Sequence, residues 1–156
     1  MMDDVTISRA LHVISVVLCV GFVTTVLLPA VRRLERPNVR MEFLDRIEQR
    51  FAWQARIWTA IAGLTGFYML YRMDAWGRFL HGAYWWMHAM VAVWLVFTLM
   101  LFVAEPLVLH DWLLARSRVN PEATFKIIEW LHRVLLLLSL ITVFGAVAGS
   151  HGLLFE

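Results

Sequence analysis

Cysteine and lysine are nearly missing from this chain. Cys19 is its one cysteine and Lys126 its one lysine. A lone cysteine excludes an intrachain disulfide, and neither a CxxC motif nor a Cys/His zinc pattern is present. Cys19 falls in an apolar run and reads as a small core residue. Charge is scarce as well: only 17% of residues are charged, and the net charge is +2. So weak a balance does not point to nucleic acid. No nucleotide-binding loop, nucleophile triad, internal repeat or low-complexity segment is present. The start of the chain lacks a basic leader and a small-residue cleavage site, so the first apolar run reads as a retained helix.

What is abundant is apolar surface. Hydrophobic types make up 61% of 156 residues, more than a soluble domain of this length can bury. They collect in four runs, Ala10 to Val31, Phe51 to Tyr71, Phe79 to Ala104 and Val134 to Phe155. A crossing needs about 20 apolar residues. Helix is the form that lets each run satisfy its own backbone in lipid. The expected fold is therefore all-α. It is one membrane domain, 1–156, built as an antiparallel bundle of four transmembrane helices. Spans are expected at 10–31, 51–71, 81–104 and 133–152, with inner loops at 32–50 and 105–132.

Orientation follows from the basic residues. Residues 32–50 and 105–133 carry ten of them, against Arg9, Arg72 and Arg78 on the other side. By the positive-inside bias the two richer connections are cytoplasmic and both termini face outward, in a cell inner membrane. Two helices are expected to extend past the bilayer. Phe43, Ile47 and Phe51 keep a helical spacing, and Asn120-Pro121-Glu122 reads as a cap followed by a first-turn proline. Small-residue stripes at Thr59, Ala62, Gly63 and Gly66, and at Gly145 and Gly149, suit close helix packing. Their second reading is room for a flat cofactor.

The six histidines carry the chemistry. His12, His81, His88 and His151 fall at one depth on this topology. Ser8, His12, Ser15 and Cys19 share one stripe of the first helix. Polar stripes on membrane helices normally face the interior, so His12 and His88 are expected to point at each other. Two imidazoles facing across apolar walls would suit a b-type haem. Tyr84, Trp85 and Trp86 could line its slot, and Arg9, Arg72 and Arg78 could hold its propionates. Copper is the alternative: His12, His88 and His151 supply nitrogen, while Met87 and Met90 supply soft sulfur. Each part also has a plain reading, as an interfacial aromatic, a snorkelling arginine or an interhelical hydrogen bond. At the opposite face, His110, His132, Glu105, Glu129 and Arg133 are expected to be solvated or ion-paired. Glu105 is expected to pair with Arg56 or Arg133.

Three motifs carry a resemblance. They are Arg9-Ala10-Leu11-His12, the Leu28-Pro29 that ends the first run, and Trp86-Met87-His88. With the four-run layout, the chain resembles the CopD and HemJ group of small membrane proteins. The resemblance implies a b-type haem protein, with Arg9, His12 and His88 at matching positions. In HemJ it implies oxidation of protoporphyrinogen IX, and in CopD copper handling. Where HemJ has Asn-Glu-x-Pro this chain has Ile127-Ile128-Glu129-Trp130, and Met90 stands where HemJ has a basic residue. The leading expectation is a haem-dependent membrane redox protein, an oxidoreductase if an enzyme. Its partner would be a quinone, a tetrapyrrole or a redox protein, and the arrangement is compatible with a homo-oligomer. The alternatives are a copper-binding or transport protein and a non-catalytic assembly partner.

Overall fold

The computed structural model describes residues 3–151, and among these there are helices and turns but no strand. Four long helical stretches follow one another. We label them α1 (residues 3–32), α2 (Pro37–Arg72), α3 (residues 85–119) and α4 (Pro121–Ser150). Residues 152–155, the end of the fourth expected run, lie outside the described residues.

Local sequence explains the boundaries. Arg36 is extended, as a residue before proline prefers, and Pro37 then opens α2. The first connection is therefore far shorter than the expected loop 32–50, because residues 37–50 are helical. The α3–α4 junction is tighter still. Asn120 Oδ1 accepts from the Ala123 amide at 3.0 Å, and Pro121 takes the first helical position, as expected. After α2, Asp74 takes a left-handed backbone with φ of 47°. The Ala75 amide then reaches back to the Leu70 carbonyl at 3.0 Å, closing the helix end.

Two of the helices are not uniformly α-helical. α1 is π-helical over Val17–Gly21 and Val23–Leu27, and α3 over Met100–Leu109. The widened turn shows in the backbone: Leu28 donates to the Val23 carbonyl and His110 to the Glu105 carbonyl. Pro106 sits inside the α3 stretch. It has no amide to give, so a carbonyl one turn earlier is left without its helical donor.

The helices meet through named contacts. At the start of α1, Asp4 accepts from Arg72 Nη2 at 2.8 Å and from the Tyr68 hydroxyl at 3.0 Å, both at the end of α2. Lower down, Val17–Gly21 touches both α2 and α4, Val23–Leu27 packs mainly on α4, and residues 28–32 meet α2 again. A core of Leu28, Val31, Leu44 and Phe125 closes the arginine-rich end. Around it Arg32 and Arg133 both pair with Glu129, at 3.1 and 2.7 Å. Arg40 pairs with Glu122 at 2.9 Å.

Much of the outer surface is apolar. Leu64, Leu80, Leu107 and Phe144 are each at least 70% exposed, which suits lipid better than water. Among the described residues, three helices are long and apolar enough to cross a membrane: Asp4–Arg32, Gly82–Val119 and Pro121–Ser150. The expected span 51–71 in α2 is not among them. Gln54 and Arg56 lie inside it, and tryptophan, threonine and glycine dilute the rest.

Candidate functional site

The glycine stripes receive aromatic rings. A methyl group on Gly63 would lie 2.6 Å from the Trp94 indole, and one on Gly145 2.5 Å from Trp85. On Gly149 it would lie 2.3 Å from Trp86. Trp94 Nε1 also donates to the Thr59 carbonyl at 3.0 Å, fixing the ring across α2. The stripes thus make room for flat groups, and those groups are the chain's own indoles.

His12 belongs to the same pattern. Its Nδ1 donates to the Ala62 carbonyl at 2.8 Å, and a methyl on Gly66 would lie 3.2 Å from its Cε1. Cys19 Sγ lies 3.5 Å from Thr59 Oγ1. The stripe of α1 therefore faces α2.

His12 and His88 are not brought together, contrary to the sequence expectation. His88 is exposed and meets the Phe79 ring edge-on, with centroids 5.2 Å apart. The reason is the packing: α1 turns its polar stripe to α2, and Trp94 of α3 occupies Gly63 on that same helix. His151 is exposed, with Nδ1 on the Val147 carbonyl of its own helix at 2.8 Å. The expected trio of His12, His88 and His151 does not assemble. Among the described residues no three His, Cys, Asp or Glu side chains converge as a metal-ligand group.

The three arginines expected at propionates have separate surroundings. Arg9 is exposed, Arg72 is engaged by Asp4, and Arg78 lies over the Tyr84 ring at 5.5 Å. Trp85 stands on Gly145 and against Trp86, with ring centroids 6.3 Å apart.

The open space is elsewhere. A cavity of about 270 Å³ lies toward the arginine-rich end, where all four helices contribute to its wall. The π-helical stretches of α1 and α3 line it through Cys19, Val23, Met100 and Glu105. Its wall is mostly apolar, with Gln54, Glu105 and His132 as its chief polar members. His132 Nδ1 donates to the Ile128 carbonyl at 2.9 Å. In the neutral imidazole that bond leaves the lone pair on Nε2.

Beside the cavity, Arg56 joins α2 to α3. It pairs with Glu105, and its Nε donates to the Leu101 carbonyl at 3.0 Å. Leu101 lies five residues before Pro106, so its carbonyl is the one a π-helical turn would have bonded to the missing proline amide. Of the two arginines weighed for Glu105, Arg56 takes it, and Arg133 goes to Glu129.

The sequence reading missed this cavity. Glu105-Pro106 falls in the expected inner loop 105–132, whereas residues 105–119 are helical and bring Glu105 level with Arg56 of the neighbouring helix. No protein-family model matches this chain, nor does any curated protein or solved structure.

Proposed function

We propose that this chain is a multi-pass membrane protein that holds a hydrophobic molecule between its helices. In this reading all four helices cross as an antiparallel bundle, in a cell inner membrane, with both termini on the outer side. The contacts of Asp4 with Arg72, Phe22 with Phe51 and Trp86 with Gly149 support that arrangement. Arg56 of α2 enters the apolar layer already neutralised by Glu105, which supports a fourth crossing despite its composition.

The observation that carries the reading is the apolar cavity with an imidazole on its wall. A volume near 270 Å³ stands at the lower end of small-molecule sites, which run about 300–1,000 Å³. The test is native mass spectrometry of the protein released from lipid nanodiscs. A retained hydrophobic molecule is expected, and it should be lost when Ala55 on the cavity wall is replaced by tryptophan. An empty wild-type protein, with no uptake of any added hydrophobe, would end the proposal.

A second reading keeps the b-type haem and the redox role that the resemblance implies. It is favoured by the histidines whose Nδ1 is anchored on a carbonyl, since that leaves Nε2 free for a metal. His12 and His132 both have this arrangement. A haem bridging His12 and His88 does not fit the packing described above, so in this reading a single imidazole, of His12 or His132, would hold the group. Iron would supply the electron-transfer chemistry. The protein purified from haem-supplemented cells should then show a Soret band that shifts on reduction. It should vanish in either His12→Ala or His132→Ala, naming the axial residue. A colourless, folded protein would remove haem, and copper analysis of the same sample would test the metal alternative.

A further inference from the structure

The cavity has an unspent imidazole acceptor on its wall, and it has a side exit. Both bear on what it takes.

Consider the donors first. The His132 N–H is spent on the Ile128 carbonyl. Beside the cavity, Arg56 directs Nε to Leu101 and Nη2 to Glu105. The Cys19 thiol is shared with Thr59. What these groups leave on the wall is accepting capacity, the Nε2 lone pair of His132 and the second carboxylate oxygen of Glu105, beside the single N–H of the Trp58 indole. Gln54 carries donors as well as an acceptor, but it is exposed rather than enclosed. A buried acceptor is best met by a ligand that donates.

The walls suit an aromatic ring. Phe22 and Phe51 both line the cavity and stack with centroids 5.9 Å apart and planes 14° from parallel. Trp58 and Phe97 line it too. Aromatic walls hold a ring by offset or edge contacts.

The exit lies between α1 and α2. Val17–Gly21 meets both α2 and α4, Val23–Leu27 packs mainly on α4, and α1 meets α2 closely again only at residues 28–32. Leu18 and Phe22, at this point, line the cavity and are 43% and 44% exposed. A side chain that belongs to both the inside and the outer surface marks an opening. In the membrane reading that opening faces lipid, where an apolar tail is at home.

We infer that the cavity binds a single-ring hydrophobic molecule that carries a donating hydroxyl, of the phenol or quinol class. Its ring lies between the π-helical stretches, its hydroxyl donates to His132 Nε2, and its tail leaves past Phe22 into the bilayer. This rests on the proposed hydrophobic-ligand function and adds the ligand's class. At His132 it also distinguishes a quinol from its quinone, because the quinone has no hydroxyl to offer that acceptor.

The test compares 4-decylphenol with 4-decylanisole, the same molecule with its hydroxyl methylated. Each is titrated into the full chain in nanodiscs, and binding is read from the ¹⁵N shifts of the histidine rings. The phenol should bind about tenfold more tightly than the ether, the size expected for one net hydrogen bond. It should move a single imidazole resonance, which is absent from His132→Leu. In that variant phenol and ether should bind alike. Equal binding of the two probes to the wild-type protein would overturn the donating-hydroxyl inference while leaving the cavity function standing. Binding of neither would bring down both.

Discussion

Glycine in this protein is defined by what sits on it. Gly63, Gly145 and Gly149 each meet an indole closer than any Cβ could tolerate. Alanine at these positions forces a tryptophan to move, and overpacking of this kind costs about 1–3 kcal/mol. Gly149→Ala should lower unfolding stability in detergent by that amount. Gly77→Ala, which meets nothing within 4 Å, should leave it nearly unchanged. The same scale governs Arg56. Replacing it with Gln strands the Glu105 carboxylate and the Leu101 carbonyl together. A loss of about 3 kcal/mol is expected, the lower end for a buried pair broken on one side, since both side chains keep some exposure. The double variant with Glu105→Gln should recover part of that loss. Equal stability of the single and double variants would show that the pair is not coupled.

At the scale of the element, the π-helical stretches shape the cavity. Pro106→Ala returns an amide donor to α3, which then competes with Arg56 for the Leu101 carbonyl. The expected outcome is a more regular helix, a smaller cavity and weaker uptake of 4-decylphenol. The global fold should persist by circular dichroism. Helix ends of this kind were readable in advance. Asn120-Pro121 announced the start of α4 because capping is local chemistry. The apolar runs announced helices because lipid admits little else. The π-helical stretches were not readable from their residues, since Val17–Leu27 has the composition of any apolar helix. The partner of His12 was missed for a related reason. Spacing places a histidine on a face, but which neighbour that face meets is decided by packing. Here Gly66 and the Ala62 carbonyl supplied the better fit.

For the whole molecule, the arrangement proposed from the arginines can be tested directly. In a Cys19→Ser background, Glu35→Cys and Gly77→Cys should be labelled by a membrane-impermeant maleimide from opposite sides of the membrane. Labelling of both from one side would refute a crossing by α2. That crossing was expected on run length, yet α2 is not apolar enough to count by composition. The difference lies in residues whose worth depends on their neighbours. Gln54 and Arg56 weigh against a span when read singly, and the charge of Arg56 is balanced once Glu105 stands beside it.

That pairing sets an order of events during synthesis. An arginine costs about 2.5–3.5 kcal/mol at the centre of a membrane segment and less toward its end, where Arg56 lies in the span 51–71, and α2 has little surplus to offset even that. Its counter-charge arrives only when α3 has been made. The second and third segments should therefore enter the bilayer together, as a helical hairpin released late from the translocation channel. In the proposed topology, a chain truncated before Glu105 is expected to insert its second segment less efficiently than the full chain does.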